Sequence, residues 1–330
     1  MASELTETSP TVLGTWPTPL EAAPRLAQAI GLGAADLWVK RDDLTGLGGG
    51  GNKVRKLEWL CGAALGRGAD TLVTCGAAQS NHARLTAAAG ARLGLDVVLV
   101  LAGSATDPGG GNVALDGLMG ASVVWAGDVA HEALDPLALA VVDQLRQEGA
   151  RPELIPYGGS SVLGARGYVA CGLELLHQAP DLGTVVTALG SGGTMAGLVH
   201  ALGCRRVLGV DCGAIERPAR TVGTLVAGLA GAPSRPDELR IRLDHVGAGY
   251  AVLTEPVMDA LTLAARTEGL ILDPIYTGRA LAGLMSAVED EEIKSGERTI
   301  LLHSGGLPGL FGHAGAVARA TGALAEFPRR

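Results

Sequence analysis

Short apolar runs, bounded by glycine and polar turns, alternate along this chain with longer stretches in which apolar residues recur every three or four positions. The short runs predict strands at Leu37–Lys40, Thr71–Thr74, Val97–Leu101, Ser122–Trp125, Leu154–Tyr157, Thr184–Leu189, Arg206–Val210 and Thr299–His303. The longer stretches predict helices over Lys53–Leu65, Asn81–Leu93, Ala130–Glu148, Leu163–His177 and Thr194–Leu202. Strands this continuously apolar, alternating with helices, imply parallel sheets covered on both faces. One layer rarely holds so many strands, so two α/β domains are expected. The larger is discontinuous, residues 1–56 and 160–330, and the smaller is an insertion, residues 57–159. In such sheets ligands gather at the carboxyl ends of the strands, which is where the glycine-rich loops fall.

Composition narrows the class. Hydrophobic residues at 47% against 18% charged describe a folded chain with a real core. Fifty glycines with only 3% aromatics suit tight turns and close helix–sheet packing. A net charge of −8 argues against nucleic acid as a partner. The five cysteines, an odd number with no Cys-x-x-Cys, argue against a disulfide scaffold or a zinc cluster and for a reducing compartment. With no signal-peptide pattern and no membrane-length apolar run, the expectation is a cytoplasmic protein with no metal. The run Glu289–Glu292 reads as a solvated helix end.

Five loops could carry chemistry. In the first, Gly46-Leu47-Gly48-Gly49-Gly50-Gly51-Asn52-Lys53, a glycine run ends in a lysine at the start of a helix. The helix dipole disfavours a cation there, and a lysine so placed can become a neutral nucleophile or Schiff-base former. Gly46, Gly48 and Gly51 match a dinucleotide fingerprint only weakly, because Arg41–Thr45 separates them from the strand. Asn52 stands where a phosphate-transfer loop needs lysine. Alone, the loop reads equally as a hinge with a surface lysine. The second loop, Cys75 to His82, crowds Gln79, Ser80, Asn81 and His82 at a strand end, with Ser80 or Asn81 as a helix cap. The third, Gly190-Ser191-Gly192-Gly193-Thr194, joins a strand to a helix and forms an anion cradle, or else a capped tight turn. It lacks a lysine, which suits a phosphate that is held and not transferred. The fourth holds Tyr276 in Asp273-Pro274-Ile275-Tyr276-Thr277-Gly278, a candidate for ring stacking or acid–base work. In the fifth, His303-Ser304-Gly305-Gly306-Leu307-Pro308, Ser304 could bond a heteroaromatic nitrogen.

Together the five loops resemble the D-cysteine desulfhydrase / 1-aminocyclopropane-1-carboxylate (ACC) deaminase family of pyridoxal-phosphate enzymes, which have the tryptophan-synthase-β fold of fold type II. The resemblance runs from Trp38-Val39-Lys40-Arg41-Asp42-Asp43-Leu44 to Gly305-Gly306-Leu307-Pro308, and its most specific motifs are Gly50-Gly51-Asn52-Lys53-Val54-Arg55-Lys56-Leu57-Glu58 and Gln79-Ser80-Asn81-His82. It implies two three-layer α/β domains with mostly parallel sheets, pyridoxal 5′-phosphate as cofactor, a small amino-acid substrate and a homodimer. It also implies roles. Lys53 is the Schiff-base lysine that moves the Cα proton. Asn81 bonds the 3′-oxygen of the cofactor, and Ser191, Gly192, Gly193 and Thr194 hold its phosphate. Tyr276 packs beside the cofactor ring and Tyr250 is a second active-site tyrosine. Ser80 serves the substrate carboxylate and amine, with Asn81, His82 and Thr277 completing the substrate set, and Ser304 sits near the ring nitrogen.

Two positions discriminate within the family. ACC deaminases carry Glu after the tyrosine and Leu in the last motif, whereas desulfhydrases carry Thr at both places. Here they are Thr277 and Ser304. The chain therefore resembles a carbon–sulfur lyase acting on D-cysteine, with L-cysteate sulfo-lyase, then ACC deaminase, as alternatives. A pyridoxal-phosphate-binding protein without turnover and a nicotinamide dehydrogenase are further readings, disfavoured by the intact Lys53, Ser80 and Tyr276 and by the weak glycine fingerprint respectively.

Overall fold

A computed structural model describes residues 8–105 and 109–324. Among the described residues ten strands form two sheets. The strands are β1 (Leu20–Ala22), β2 (Leu37–Arg41), β3 (Thr71–Ala77), β4 (Asp96–Ala102), β5 (Ser122–Trp125), β6 (Pro152–Leu154), β7 (Leu182–Leu189), β8 (Val207–Asp211), β9 (Arg240–Arg242) and β10 (Arg298–His303). The larger sheet runs β1-β2-β10-β7-β8-β9 and the smaller β5-β4-β3-β6. Every pairing is parallel except β1 with β2. The inner strands β3, β7 and β10 are buried at nearly every position. That is why they read as unbroken apolar runs and not as alternating ones.

The helices that matter for the site each follow a strand or a glycine loop. In chain order, α1 spans Pro24–Ala29, α2 Lys53–Gly66, α3 Asn81–Leu93, α4 Gly111–Leu118, α5 Leu134–Gln147, α6 Val162–Gln178 and α7 Gly193–Leu202. Toward the end of the chain α8 spans Pro218–Ala230, α9 Glu255–Glu268, α10 Thr277–Glu289, α11 Leu307–Phe311 and α12 Ala314–Gly322. Among the described residues no helix is long and apolar enough to cross a membrane. All five cysteines are free.

The expected strand at Leu154–Tyr157 lies earlier, at Pro152–Leu154. Tyr157 opens a tight 3-10 turn whose Gly158 has φ +61°, a conformation that favours glycine. The expected helix Ala130–Glu148 begins only at Leu134, after the turn His131–Ala133, with Pro136 tolerated in its first turn. The acidic run after α10 is not merely solvated. Asp290 and Glu292 pair with Arg242 and Arg240, which tethers the short edge strand β9.

Candidate active site

The glycine run before Lys53 is a pinned loop and not a hinge. Thr45 Oγ1 accepts the Gly51 N–H at 2.9 Å, and buried Arg84 donates to the carbonyls of Gly48 (2.6 Å) and Gly50 (3.1 Å). A Cβ at Gly50 would fall 1.9 Å from the Asp43 carbonyl oxygen, so only glycine fits. Past the loop, the Asn52 N–H donates to the Ser304 carbonyl at 2.9 Å. The turn after β2 is thereby joined to the turn after β10.

Lys53 is the first residue of α2, and its Nζ donates to the Gly158 carbonyl at 3.2 Å. Lys56, one turn on, donates to the same carbonyl at 3.2 Å and to Ser160 Oγ at 2.9 Å. Burial is the first cause that lowers the Lys53 amine, to about 8, and it pushes Lys56 well below the lysine range, helped by the charge of Lys53. Desolvation therefore acts in the same direction as the helix dipole that the sequence pointed to. Neither amine has a carboxylate within ion-pair distance among the described residues.

These amines face a cleft lined by side chains from several loops. Its wall includes Lys53, Ser80, Asn81, His82, Ser191, Gly192, Thr194, Tyr250, Tyr276 and Ser304. The site residues expected from sequence thus converge here, with two exceptions. The Gly193 N–H is turned to Ser160 Oγ at 3.1 Å. Thr277 is buried, and its hydroxyl donates to Asp273 Oδ1 at 2.7 Å while accepting the Asp273 N–H. Asp273 also receives the N–H groups of Ile275, Tyr276 and Thr277, so it sets the turn that presents Tyr276. The phenols of Tyr276 and Tyr250 meet at 2.7 Å, and burial pushes both above the usual tyrosine range. Gly190 lets the Tyr276 ring lie close, since a Cβ there would stand 3.1 Å from the ring.

On the opposite wall Ser80 caps α3 by accepting the Ala83 N–H at 3.1 Å. His82 is buried, with Nε2 3.0 Å from Thr74 Oγ1, and burial drives its pKa well below the usual value. A neutral imidazole held this way is a packing and hydrogen-bonding group and not a proton carrier at neutral pH. At the start of α7, Ser191 Oγ lies 2.7 Å from Ser160 Oγ, and Asn52 Nδ2 donates to Thr194 Oγ1 at 3.1 Å.

Sequence reasoning missed Lys56, Tyr157 and Ser160. Lys56 was detectable, because a lysine three residues after Lys53 shares its helix face. Ser160 stands at the expected boundary between the two domains, where no chemistry was read.

The residues fit pyridoxal phosphate. Two amines without an acid partner, beside a helix N-terminus lined by hydroxyls, form a site that an anion completes. Lys53 stands ready for the carbonyl.

Comparison with known proteins agrees with this geometry. The sequence model of one family, described as pyridoxal-phosphate dependent enzyme, matches residues 12–305. A putative 1-aminocyclopropane-1-carboxylate deaminase of Pyrococcus abyssi is 42% identical over 309 residues, covering 90% of this chain and 91% of the relative. A D-cysteine desulfhydrase of Klebsiella pneumoniae is 39% identical over 319 residues, covering 90% and 94%. The crystal structure of an ACC deaminase homologue superposes with a TM-score of 0.86 at 36% identity, over 96% of this chain and 98% of that one. Threonine deaminase isoform 2 from Solanum lycopersicum shares the fold, with a TM-score of 0.63 at 20% identity, over 87% and 83%. Cleft, fold and relatives together place the chain in the pyridoxal-phosphate dependent enzyme family, in the branch of the ACC deaminases and D-cysteine desulfhydrases.

Proposed function

We propose that the protein eliminates a β leaving group from a small amino acid, and that its substrate is D-cysteine, converted with water to pyruvate, ammonia and sulfide. The observation that carries this reading is Lys53: an amine lowered to about 8, beside a cleft wall that contains hydroxyls and no carboxylate among the described residues. Bound pyridoxal phosphate supplies a carbonyl for the substrate amine and a sink for the electrons of the Cα–H bond.

The chain supplies the rest. Ser191, Gly192 and Thr194 would hold the phosphate at the start of α7, with Thr194 oriented by Asn52 and Gly193 tied to Ser160. Neutral Lys53 Nζ takes the Cα proton as general base. Ser80, with Asn81 and His82 behind it, orients the substrate carboxylate. Tyr276 would pack beside the cofactor ring, and with one phenol of the Tyr276–Tyr250 pair donating to the other at 2.7 Å, the second O–H is left in the cleft for the departing sulfur. Ser304 is the hydroxyl for the ring nitrogen. Thr277, turned to Asp273, acts by fixing the turn that presents Tyr276 and not by touching substrate. A hydroxyl protonates a ring nitrogen less than a carboxylate does, which suits loss of a good leaving group such as thiolate.

The same reading divides the chain into a large cofactor-binding domain, residues 1–56 and 160–330, and an insertion, 57–159. It is supported by the smaller sheet, whose strands all lie between Thr71 and Leu154.

ACC deamination is a second reading, favoured by the similarity to the putative ACC deaminase of Pyrococcus abyssi. One panel separates the two. Purified protein with its cofactor is offered D-cysteine, L-cysteine, L-cysteate and ACC, and sulfide, sulfite, pyruvate and ammonia are measured. Sulfide and pyruvate from D-cysteine, abolished in Lys53→Ala, are expected. Faster ammonia release from ACC would overturn the substrate assignment, and full activity in Lys53→Ala would overturn the mechanism.

A further inference from the structure

Asn112 is the second residue of α4, is fully buried, and does not line the cleft. Its Nδ2 donates twice, at 2.9 Å to the backbone carbonyl of Gln79 and at 3.1 Å to Oδ1 of Asn81. A backbone carbonyl only accepts. The orientation of the Asn112 amide is therefore dictated, because the reverse one would set two oxygens 2.9 Å apart. The constraint passes on. Asn112 presents N–H to Asn81, so Asn81 must answer with its oxygen. Its own NH2 group is then left for the cleft, whose wall Asn81 forms. Gln79 secures the arrangement: its Oε1 accepts the Asn112 N–H at 2.8 Å and its Nε2 donates to the Gly110 carbonyl at 3.1 Å.

We propose that Asn112 is a positioning residue for the cofactor. By taking up the oxygen of Asn81, it makes Asn81 a hydrogen-bond donor toward the anionic ring oxygen of pyridoxal phosphate. This rests on the reading of Asn81 as the partner of that oxygen. A free side-chain amide offers its oxygen or its NH2 group with little preference, and an anionic oxygen accepts only the NH2. The chain from the Gln79 carbonyl through Asn112 removes the wrong choice before the cofactor arrives, so none of the binding energy is used to select it.

The test compares four holoenzymes: wild type, Asn112→Ala, Asn81→Ala and the double variant. Cofactor release after dilution is followed through loss of the visible band, and the pH at which that band titrates is recorded. Asn112→Ala is expected to release cofactor about ten-fold faster. Its band should titrate at higher pH, because a lost donor leaves the ring oxygen more basic. In the Asn81→Ala background the same substitution should change neither quantity. Equal effects in both backgrounds would overturn the proposal, since Asn112 would then act on the loop and not through Asn81. No effect of Asn112→Ala would also overturn it. If Asn81→Ala alone changed nothing, the role of Asn81 itself would fall. Should Asn112→Ala lose its cooperative melt, Asn112→Asp keeps the shape, removes the NH2 group, and carries the same comparison.

Discussion

Lys53 reacts as a base or nucleophile only when neutral, so its proton affinity sets a measurable pH profile. With the amine lowered to about 8 by burial, about 9% is neutral at pH 7, against about 0.03% for an ordinary lysine near 10.5, a gain of about 300-fold. The cofactor-free protein, mixed with pyridoxal phosphate from pH 6 to 10, should acquire its visible band at a rate that rises with pH and levels off above a midpoint near 8. The same shift affects stability, with a definite sign. Below the folded value both folded and unfolded chains hold the proton, and the cost of burying the cation is complete. Discounted for the partial exposure of the amine, that cost is about 2–3 kcal/mol. It fades as pH rises from about 8 toward 10.5, so the cofactor-free protein gains stability across that window. A rate midpoint at 10 or above would refute the claim that burial depresses Lys53.

Gly193→Ala would bring a Cβ to 2.7 Å from Ser160 Oγ and 3.0 Å from Lys56 Nζ. Cofactor binding is expected to weaken by about ten-fold or more in a titration, with little change in the melt of the cofactor-free protein. Arg279 is buried and donates to six backbone carbonyls, among them Val252 at 2.7 Å and Gly249 at 3.3 Å around Tyr250. Arg279→Met should cost about 3 kcal/mol or more in denaturant unfolding and lower kcat/KM by loosening the loop that carries Tyr250. Asp42 accepts from Arg55 Nε (2.8 Å), Arg55 Nη2 (2.9 Å), Thr18 (2.8 Å) and Tyr168 (2.6 Å). Asp42→Asn leaves the Arg55 charge short of its buried partner and should cost about 3–5 kcal/mol in the same measurement. Burial opposes the Asp42 carboxylate, yet Arg55 and the hydroxyls hold it below the ordinary 3.8. Its stabilisation is therefore complete above pH 3.8 and is lost as pH falls through the lower folded value.

Much of this was legible in the residues because the inner strands are buried on both faces. A strand such as Leu182–Leu189 has nowhere to alternate, so it announces itself as an apolar block. The edge strands β1 and β9 escaped notice for the opposite reason: three residues each, half polar, they are made by pairing and not by propensity. Five glycine-rich turns were readable as ligand loops because helix starts and strand ends carry strong local chemistry. What those turns do to each other was not readable. The hydroxyl of Thr277 points to Asp273 and the N–H of Gly193 to Ser160 because of tertiary hydrogen bonds that no local pattern encodes. The burial of Arg84 and Arg279 was not readable either, since only the assembled chain supplies the carbonyls that accept from them.

The order of the larger sheet bears on how this enzyme is made. β10, near the end of the chain, is inserted between β2 and β7, so the sheet has a gap at its centre until residues 298–303 leave the ribosome. Ser304, whose carbonyl receives the Asn52 N–H, arrives with it. The smaller sheet draws on residues 71–154 alone and can close much earlier. A nascent chain therefore carries Lys53 without the clamp that places it until Ser304 has emerged. The amine of Lys53 is placed only after β10 has entered the sheet.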